Sequence, residues 1–333
     1  MRDYHDLTDE GRRRRLAGVA REALASYDLA VVAMRGLTDA TNGVFRLDTA
    51  DGGRYAMRVG LGPPAGHTAD EMRSEAAFLD TLRGEPGIIV PGVVRSRSGD
   101  VVVEASAPNV PHVRACMVFT WLEGSLLADR LDEVAVDGLG EVMARLHRAA
   151  VQFDPPPGFF APRFDTVYPY ELPFIVFLDA GDDLLPPHRR ALYAEALGHV
   201  EGALGDLAEG EPMRVLHGDL HPWNAKVHHG RISVFDFEDI VWGWPVQDIA
   251  TTLYYLWPAD DFDARWAEFR IGYERIAPWP DTGGEVATFI MARTLLLAND
   301  VISQPEWFAE APAVYERGEY RIRDMLGRLG GTG

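Results

Sequence analysis

Short apolar runs separated by turn formers fill the first third of the chain. Leu29–Met34, Gly43–Asp48, Tyr55–Val59, Val101–Glu104 and Met117–Trp121 are rich in Val, Phe, Tyr or Met, with Asp51-Gly52-Gly53 and Ser98-Gly99-Asp100 among the turns between them. That pattern predicts β-strands joined by tight turns. Helical spacing replaces it in two places. Leu16, Val19, Ala20, Ala23 and Leu24 recur at helix period within Asp9–Ala25. Met72, Ala76, Phe78, Leu79 and Leu82 line one side of Asp70–Leu82, where Thr68 supplies a cap. The first third therefore reads as a small antiparallel sheet interrupted by one helix.

Beyond Gly124 the period becomes helical. Leu131–Ala149, Pro187–Ala208, Pro245–Leu256, Asp263–Ile276, Thr288–Val301 and Pro312–Leu329 read as helices, punctuated by Pro155-Pro156-Pro157, Pro186-Pro187 and Pro278 to Pro280. One hairpin lies among them: Ala225–His228 and Arg231–Phe235, turned at His229-Gly230. The expected architecture is α+β, a small sheet lobe over residues 1–121 and a mostly helical lobe over 122–333, joined near Thr120–Gly124.

Composition narrows the functional classes. The chain has 333 residues, 47% apolar and 25% charged, enough to bury a substantial core. Its formal net charge of −19 argues against nucleic acid or an anionic membrane surface as the main partner. An acidic surface suits a cationic small molecule, although solubility alone also accounts for it. Arg12-Arg13-Arg14-Arg15 is the one dense basic run, and it reads as the solvated face of the first helix. Cys116 is the sole cysteine, which excludes an internal disulfide and a cysteine zinc site. No run of eighteen apolar residues occurs and Met1–Asp6 is polar, so neither a spanning helix nor a secretory leader is expected. A cytoplasmic enzyme fits these features.

The chemistry concentrates between His217 and Asp236. An apolar lead, Val215-Leu216, enters His217-Gly218-Asp219-Leu220-His221-Pro222-Trp223-Asn224, and the hairpin then runs into Val234-Phe235-Asp236-Phe237-Glu238-Asp239. Phosphoryl transfer needs a carboxylate to take the proton of the attacking hydroxyl and side-chain oxygens to hold magnesium against the phosphates. An Asp, an Asn five residues on, and a second Asp beyond a short hairpin reproduce the spacing of a kinase catalytic loop and metal-binding segment. Asp219 is the expected base, and Asn224 and Asp236 the expected magnesium ligands. In so acidic a chain, a polyanion such as ATP needs this metal and a few placed cations.

These segments resemble the aminoglycoside phosphotransferase and choline kinase-like family, whose fold is that of protein kinases and whose relatives include homoserine kinase type II and bacterial stress-response kinases. The match rests on His217–Asn224, on Phe235–Asp239, on Pro245-Val246-Gln247-Asp248-Ile249-Ala250 and on Leu146-His147. The resemblance implies a bilobal kinase fold and an enzyme that uses ATP and Mg2+ to phosphorylate a hydroxyl. It implies that Asp248 braces the catalytic loop from the following helix. In the first lobe it places Arg58, within Tyr55–Val59, where the phosphate-positioning lysine stands, with Glu75 as its helix partner. The guanidinium brings the same charge with a different geometry. Thr38–Gly43, including Thr41 and Asn42, would be the turn over the phosphates. The backbone of Thr120 and Leu122 would hydrogen-bond adenine.

Other features have simpler readings. His217 is expected to brace the loop rather than carry a proton. His217 and His221 lie four apart, yet Gly218 and Pro222 forbid the helix a zinc pair would need. Asp239 could orient Asp236, bind a second metal or be structural. Gly60-Leu61-Gly62 imitates a dinucleotide fingerprint, but Pro63 and Pro64 remove the N–H groups a pyrophosphate requires. Among the tryptophans, Trp242 and Trp244 are the candidates for a site edge. The acceptor is expected to be a small molecule: an amino alcohol, an amino acid such as homoserine, a sugar or an aminoglycoside. A protein Ser/Thr kinase and a nucleotide-binding pseudokinase are the alternatives; the short stretch from Asp236 to Pro245 weighs against the first, retention of Asp219, Asn224 and Asp236 against the second.

Overall fold

The computed structural model describes residues 4, 7–38, 42–62, 67–170, 174–177, 185–210, 212–281, 284–303 and 311–330. The chain divides into two compact units. The first comprises Met1–Gly124, Phe153–Phe160 and Ser233–Glu238; the second comprises Ser125–Gln152, Ala161–Ile232 and Asp239–Gly333.

The first unit is built on an antiparallel sheet of β1 (Val31–Thr38), β2 (Gly43–Thr49), β3 (Arg54–Val59), β4 (Val93–Val94), β5 (Val103–Ala105) and β6 (Arg114–Thr120). The order is β1-β2-β3-β6-β4, with β5 also paired to β6. Side chains alternate along β2, so Phe45 and Leu47 point inward and meet Met57 and Val59 of β3 and Val118 of β6. Helix α1 (Asp9–Leu24) adds Leu16, Val19, Ala20 and Ala23 to this core, as its period foretold. Helix α2 (Ala69–Leu82) starts at a capping box in which Thr68 and Glu71 satisfy each other's backbone N–H groups. Its buried side carries Met72, Phe78, Leu79 and Leu82, and also Glu75. β4 had no sequence signature, because two residues after Pro91-Gly92 are too few to show alternation.

The second unit is mostly helical: α3 (Glu133–Ala150), α4 (Pro187–Gly210), α5 (Pro245–Leu256), α6 (Phe262–Glu274), α7 (Glu285–Ser303) and α8 (Ala311–Gly330). All six stand where helical period placed them, with ends shifted by a few residues. Helices α3 and α6 approach backbone to backbone at two glycines. A Cβ on Gly140 would lie 2.0 Å from the Phe269 carbonyl oxygen, and one on Gly272 1.8 Å from that of Asp137. Helix α7 is long and apolar enough to cross a membrane, but 67% of its apolar window is buried, and it packs on α4, α5 and α8 as a core helix. Small strands complete the unit. β8 (Arg214–Leu216) pairs antiparallel with β11 (Val241–Gly243), and β9 (Ala225–His228) lies between β7 (Ser125–Leu126) and β10 (Arg231–Val234).

Candidate active site

In the second unit, the chain leaves β8 at Leu216 and turns sharply at Gly218, whose φ is +82°. A side chain there is impossible for two reasons: the backbone is left-handed, and a Cβ would fall 2.0 Å from the Asp239 carbonyl oxygen. The turn is held from below by Asp248 on α5, which is almost fully buried. Its Oδ1 accepts the Gly218 N–H at 3.0 Å, and its Oδ2 accepts the His217 N–H at 3.2 Å. His147 of α3 approaches Oδ2 through Nε2 at 3.2 Å, while its Nδ1 meets the Tyr273 hydroxyl at 2.9 Å. This is the bracing that the family resemblance implied for Asp248. His217 also behaves as expected of a loop support, its Nδ1 accepting the Asp219 N–H at 3.3 Å. Thr252 closes the loop by donating to the Leu220 carbonyl at 2.5 Å.

Asp219 emerges from this frame with Asn224 tied to it. The Asn224 Nδ2 donates to the Asp219 carbonyl at 3.0 Å, which fixes the amide plane. The Asp219 carboxylate, largely buried, meets two partners that sequence reasoning had not assigned to it. Arg293 of α7 donates from Nη2 to Oδ1 at 2.6 Å, and His221 Nε2 lies 3.3 Å from Oδ2. Burial alone would raise the Asp219 pKa; Arg293 first and His221 next outweigh it and hold the carboxyl below its ordinary range. Arg293 also donates to the Tyr255 hydroxyl at 3.0 Å. Burial pushes that phenol up to about 12. Arg293 sits inside an apolar helix far along the chain from Asp219, so nothing in the sequence linked the two.

Aromatic rings flank the carboxylate. His221 and Tyr255 meet edge to face at 4.4 Å, His221 and Trp223 at 5.7 Å, and half of Trp223 is exposed. Trp244, expected near a site edge, is instead buried as a core residue at the start of α5. An apolar ring surface at a helix start packs more favourably inward than toward water. Trp242 is half-buried in β11.

The first unit gathers the other expected residues. Arg58 on β3 ion-pairs with Glu75 of α2, both almost fully buried, as the resemblance predicted. Its Nη1 also lies 3.4 Å from Glu238 and 3.8 Å from Asp236, and its guanidinium stands 5.4 Å from the Phe119 ring centroid. Burial works against its charge, but Glu75, Glu238 and Asp236 outweigh that and keep it cationic. Asp236 adopts a left-handed φ of +67°, costly for a side chain with a Cβ. It is held there because Phe237, fully buried, packs edge to face on Phe78 of α2 at 6.2 Å. Three carboxylates around one guanidinium leave excess negative charge, which a divalent cation would offset. Among the described residues no cluster of three His, Cys, Asp or Glu groups could hold a metal by itself. The Asp236 carboxylate is a hard oxygen donor of the kind Mg2+ takes, with water and phosphate oxygens completing its shell.

Two other expectations concern the nucleotide. Asn42 is committed at both ends of its amide: Nδ2 donates to Glu238, and Oδ1 accepts the Leu61 N–H at 3.3 Å. Thr41 lies outside the described residues. Thr120 uses its N–H on the Gly92 carbonyl at 2.8 Å and its hydroxyl on the Gly92 N–H at 2.8 Å. An adenine contact there would fall on the Thr120 carbonyl. Leu122 follows on the same strand exit, half-buried.

A family model described as the phosphotransferase enzyme family matches residues 34–282, well over half of the chain. The chain belongs to that family. This phosphotransferase is 45% identical over 60 residues to the amicoumacin kinase of Bacillus subtilis (strain 168), a match spanning 16% of this chain and only 18% of the relative's length. Its fold is shared over almost the full length with two solved kinases. One is the microcompartment-associated aminopropanol kinase, with a TM-score of 0.77, 21% identity, and coverage of 94% of this chain and 98% of that one. The other is an amicoumacin kinase in complex with AMP-PNP, Ca2+ and Ami, with a TM-score of 0.74, 21% identity and coverage of 94% of both. The phosphotransferase therefore has the kinase-like α+β fold that its motifs implied.

Proposed function

We propose that this protein is a kinase that transfers the γ-phosphate of ATP to a hydroxyl group of a small molecule. The observation that carries the reading is the Asp219 loop: a carboxylate presented on a turn that Asp248 and His147 lock from behind, with Asn224 bonded to the same turn. The family supports it, as do fold relatives described as kinases of aminopropanol and of amicoumacin.

In this reading Asp219 receives the proton of the attacking hydroxyl. Asn224 and Asp236 hold Mg2+, which would draw together and neutralise the phosphate oxygens. Arg58, oriented by Glu75, steadies the phosphates as a fixed cation. The segment with Thr41 and Asn42 would lie over them, with the Asn42 side chain spent on Glu238 and Leu61. Backbone groups of Thr120 and Leu122 hold adenine. Residues 1–121 would then form the nucleotide-binding lobe and 122–333 the lobe for catalysis and acceptor, in a cytoplasmic enzyme. Retention of the buried Arg58–Glu75 pair favours a working enzyme over a pseudokinase, because a guanidinium and a carboxylate buried together are costly to maintain without use. The acidic surface and the aromatic rings beside Asp219 suit an acceptor that carries an amine.

The test is ATP consumption measured against amino alcohols, amino acids including homoserine, sugars, aminoglycosides and a generic protein substrate. Magnesium-dependent turnover with one small-molecule class is expected. Turnover confined to the protein substrate, or none that depends on Asp219, would overturn the proposal.

A further inference from the structure

The two oxygens of Asp219 are not equivalent. Oδ1 is taken by the Arg293 guanidinium at 2.6 Å. Oδ2 faces His221 at 3.3 Å, on the side where Trp223 is half exposed. Arg293 is only 10% exposed and is itself held by the Tyr255 hydroxyl at 3.0 Å, with its guanidinium 5.7 Å from the Tyr255 ring centroid. We propose that Arg293 is a positioning residue of the phosphotransfer reaction: by occupying Oδ1 it fixes the plane of the carboxylate and presents Oδ2 as the oxygen that receives the acceptor's proton. This rests on the reading of Asp219 as the base.

The cavity beside Arg293, lined among others by Phe164, Thr166, Gln247, Thr251 and Leu296, has room of ≈ 20 Å³, about one water and too little for an acceptor. Trp223, half exposed and in edge-to-face contact with His221, lies on the Oδ2 side instead.

The step balances as an ordinary transfer. The acceptor oxygen forms a bond to the γ-phosphorus while the bond from that phosphorus to the β,γ-bridging oxygen breaks, ADP leaves with the electron pair, and the acceptor's proton passes to Oδ2. A carboxylate tied at Oδ1 by Arg293 and met at Oδ2 by His221 keeps its plane as the hydroxyl approaches, so the reaction avoids paying for that alignment. The charged and titratable groups facing Asp219 are Arg293 of α7, His217 and His221 of its own loop, and Tyr255 of α5; Tyr170, Asp239 and Asp300 face Arg293 or its neighbours. Of these, Arg293 exerts the largest pull on the carboxylate.

The experiment uses the full chain with Mg-ATP as the only substrate, following slow γ-phosphate transfer to water. In Arg293→Met, kcat should fall ~100-fold while KM for Mg-ATP holds within about twofold. Arg293→Lys should restore kcat only in part, since an ammonium brings back charge but not the planar fork. If Arg293→Met is unfolded by circular dichroism, Tyr255→Phe, which frees Arg293, should lower kcat in the same way by less. An unchanged kcat in the folded variants, or a loss confined to KM, overturns the proposal. Wild-type turnover by Asp219→Asn would instead overturn the assignment of the base.

Discussion

Replacing Asp248 by Asn tests whether the loop is held by charge or merely by shape. The two side chains are nearly isosteric, and the site is buried, so packing is unchanged. The carboxylate accepts three donors: the His217 and Gly218 N–H groups and His147 Nε2. Because a carboxylate only accepts, His147 Nε2 is the nitrogen that donates to Asp248, and Nδ1 then accepts from the Tyr273 hydroxyl. An amide has only one acceptor oxygen. Its cheaper orientation keeps that oxygen at Oδ2 and turns an NH2 toward the Gly218 N–H, donor against donor. One bond to a charged acceptor is lost, at about 1.5–3 kcal/mol, and the other two weaken as their acceptor becomes neutral. The sum is about 2–4 kcal/mol, or roughly 5–15 °C in the melting of a unit this size. The measurements are a thermal melt, amide hydrogen exchange at His217 and Gly218, and ATP turnover. Exchange at those two amides should accelerate more than elsewhere, and turnover should drop ~100-fold because Asp219 rides on this turn. A midpoint within about 2 °C of wild type together with unchanged turnover would refute the reasoning.

Other outcomes follow from the same geometry. Asp219→Asn should abolish phosphoryl transfer and leave nucleotide affinity intact; equal turnover of variant and wild type would remove Asp219 from the chemistry. Asp236→Ala should erase the magnesium dependence of nucleotide binding, checked by calorimetry with and without Mg2+, and unchanged Mg-ATP affinity would refute it. Asp281, which caps α7 through the Gly284 and Glu285 N–H groups, is pushed up to about 6 by burial and by Glu285. Its folded pKa is raised, so ionisation destabilises the native state above about pH 6 and the penalty fades as pH falls below that value. Asp281→Asn, an equally good cap, should therefore raise the melting temperature at pH 8 and lose that advantage by about pH 4; a lower midpoint at pH 8 would refute it.

What the sequence made legible has a physical pattern. Helices α1 to α8 and the main strands announced themselves, because each buries one face and so carries a period. β4 and β11 did not, since two or three residues cannot show one. Trp244 was misjudged for a related reason: proximity in sequence to Asp236 suggested a site edge, while its ring turned inward beneath α5. Around the loop, the residues proposed for the site were those whose spacing is short or whose type is demanded by the chemistry: Asp219, Asn224, Asp236 and, through the family, Arg58, Glu75 and Asp248.

Arg293 belongs to another kind. A guanidinium within Met291-Ala292-Arg293-Thr294-Leu295 breaks the apolar pattern of a core helix, and that break was the one available signal. A lone buried cation is too costly to persist, so its presence in α7 required a buried anion somewhere. The sequence offered many carboxylates and no way to choose among them; contact alone identifies Asp219. Asp219 is held largely buried, where burial by itself would favour the protonated acid and disable a base. A base that must stay ionised in that position needs a cation from another element, and the short-range motif contains only histidines. In the proposed mechanism the base therefore depends on a partner on a helix outside the motif, which a reading confined to His217–Asp236 could not name.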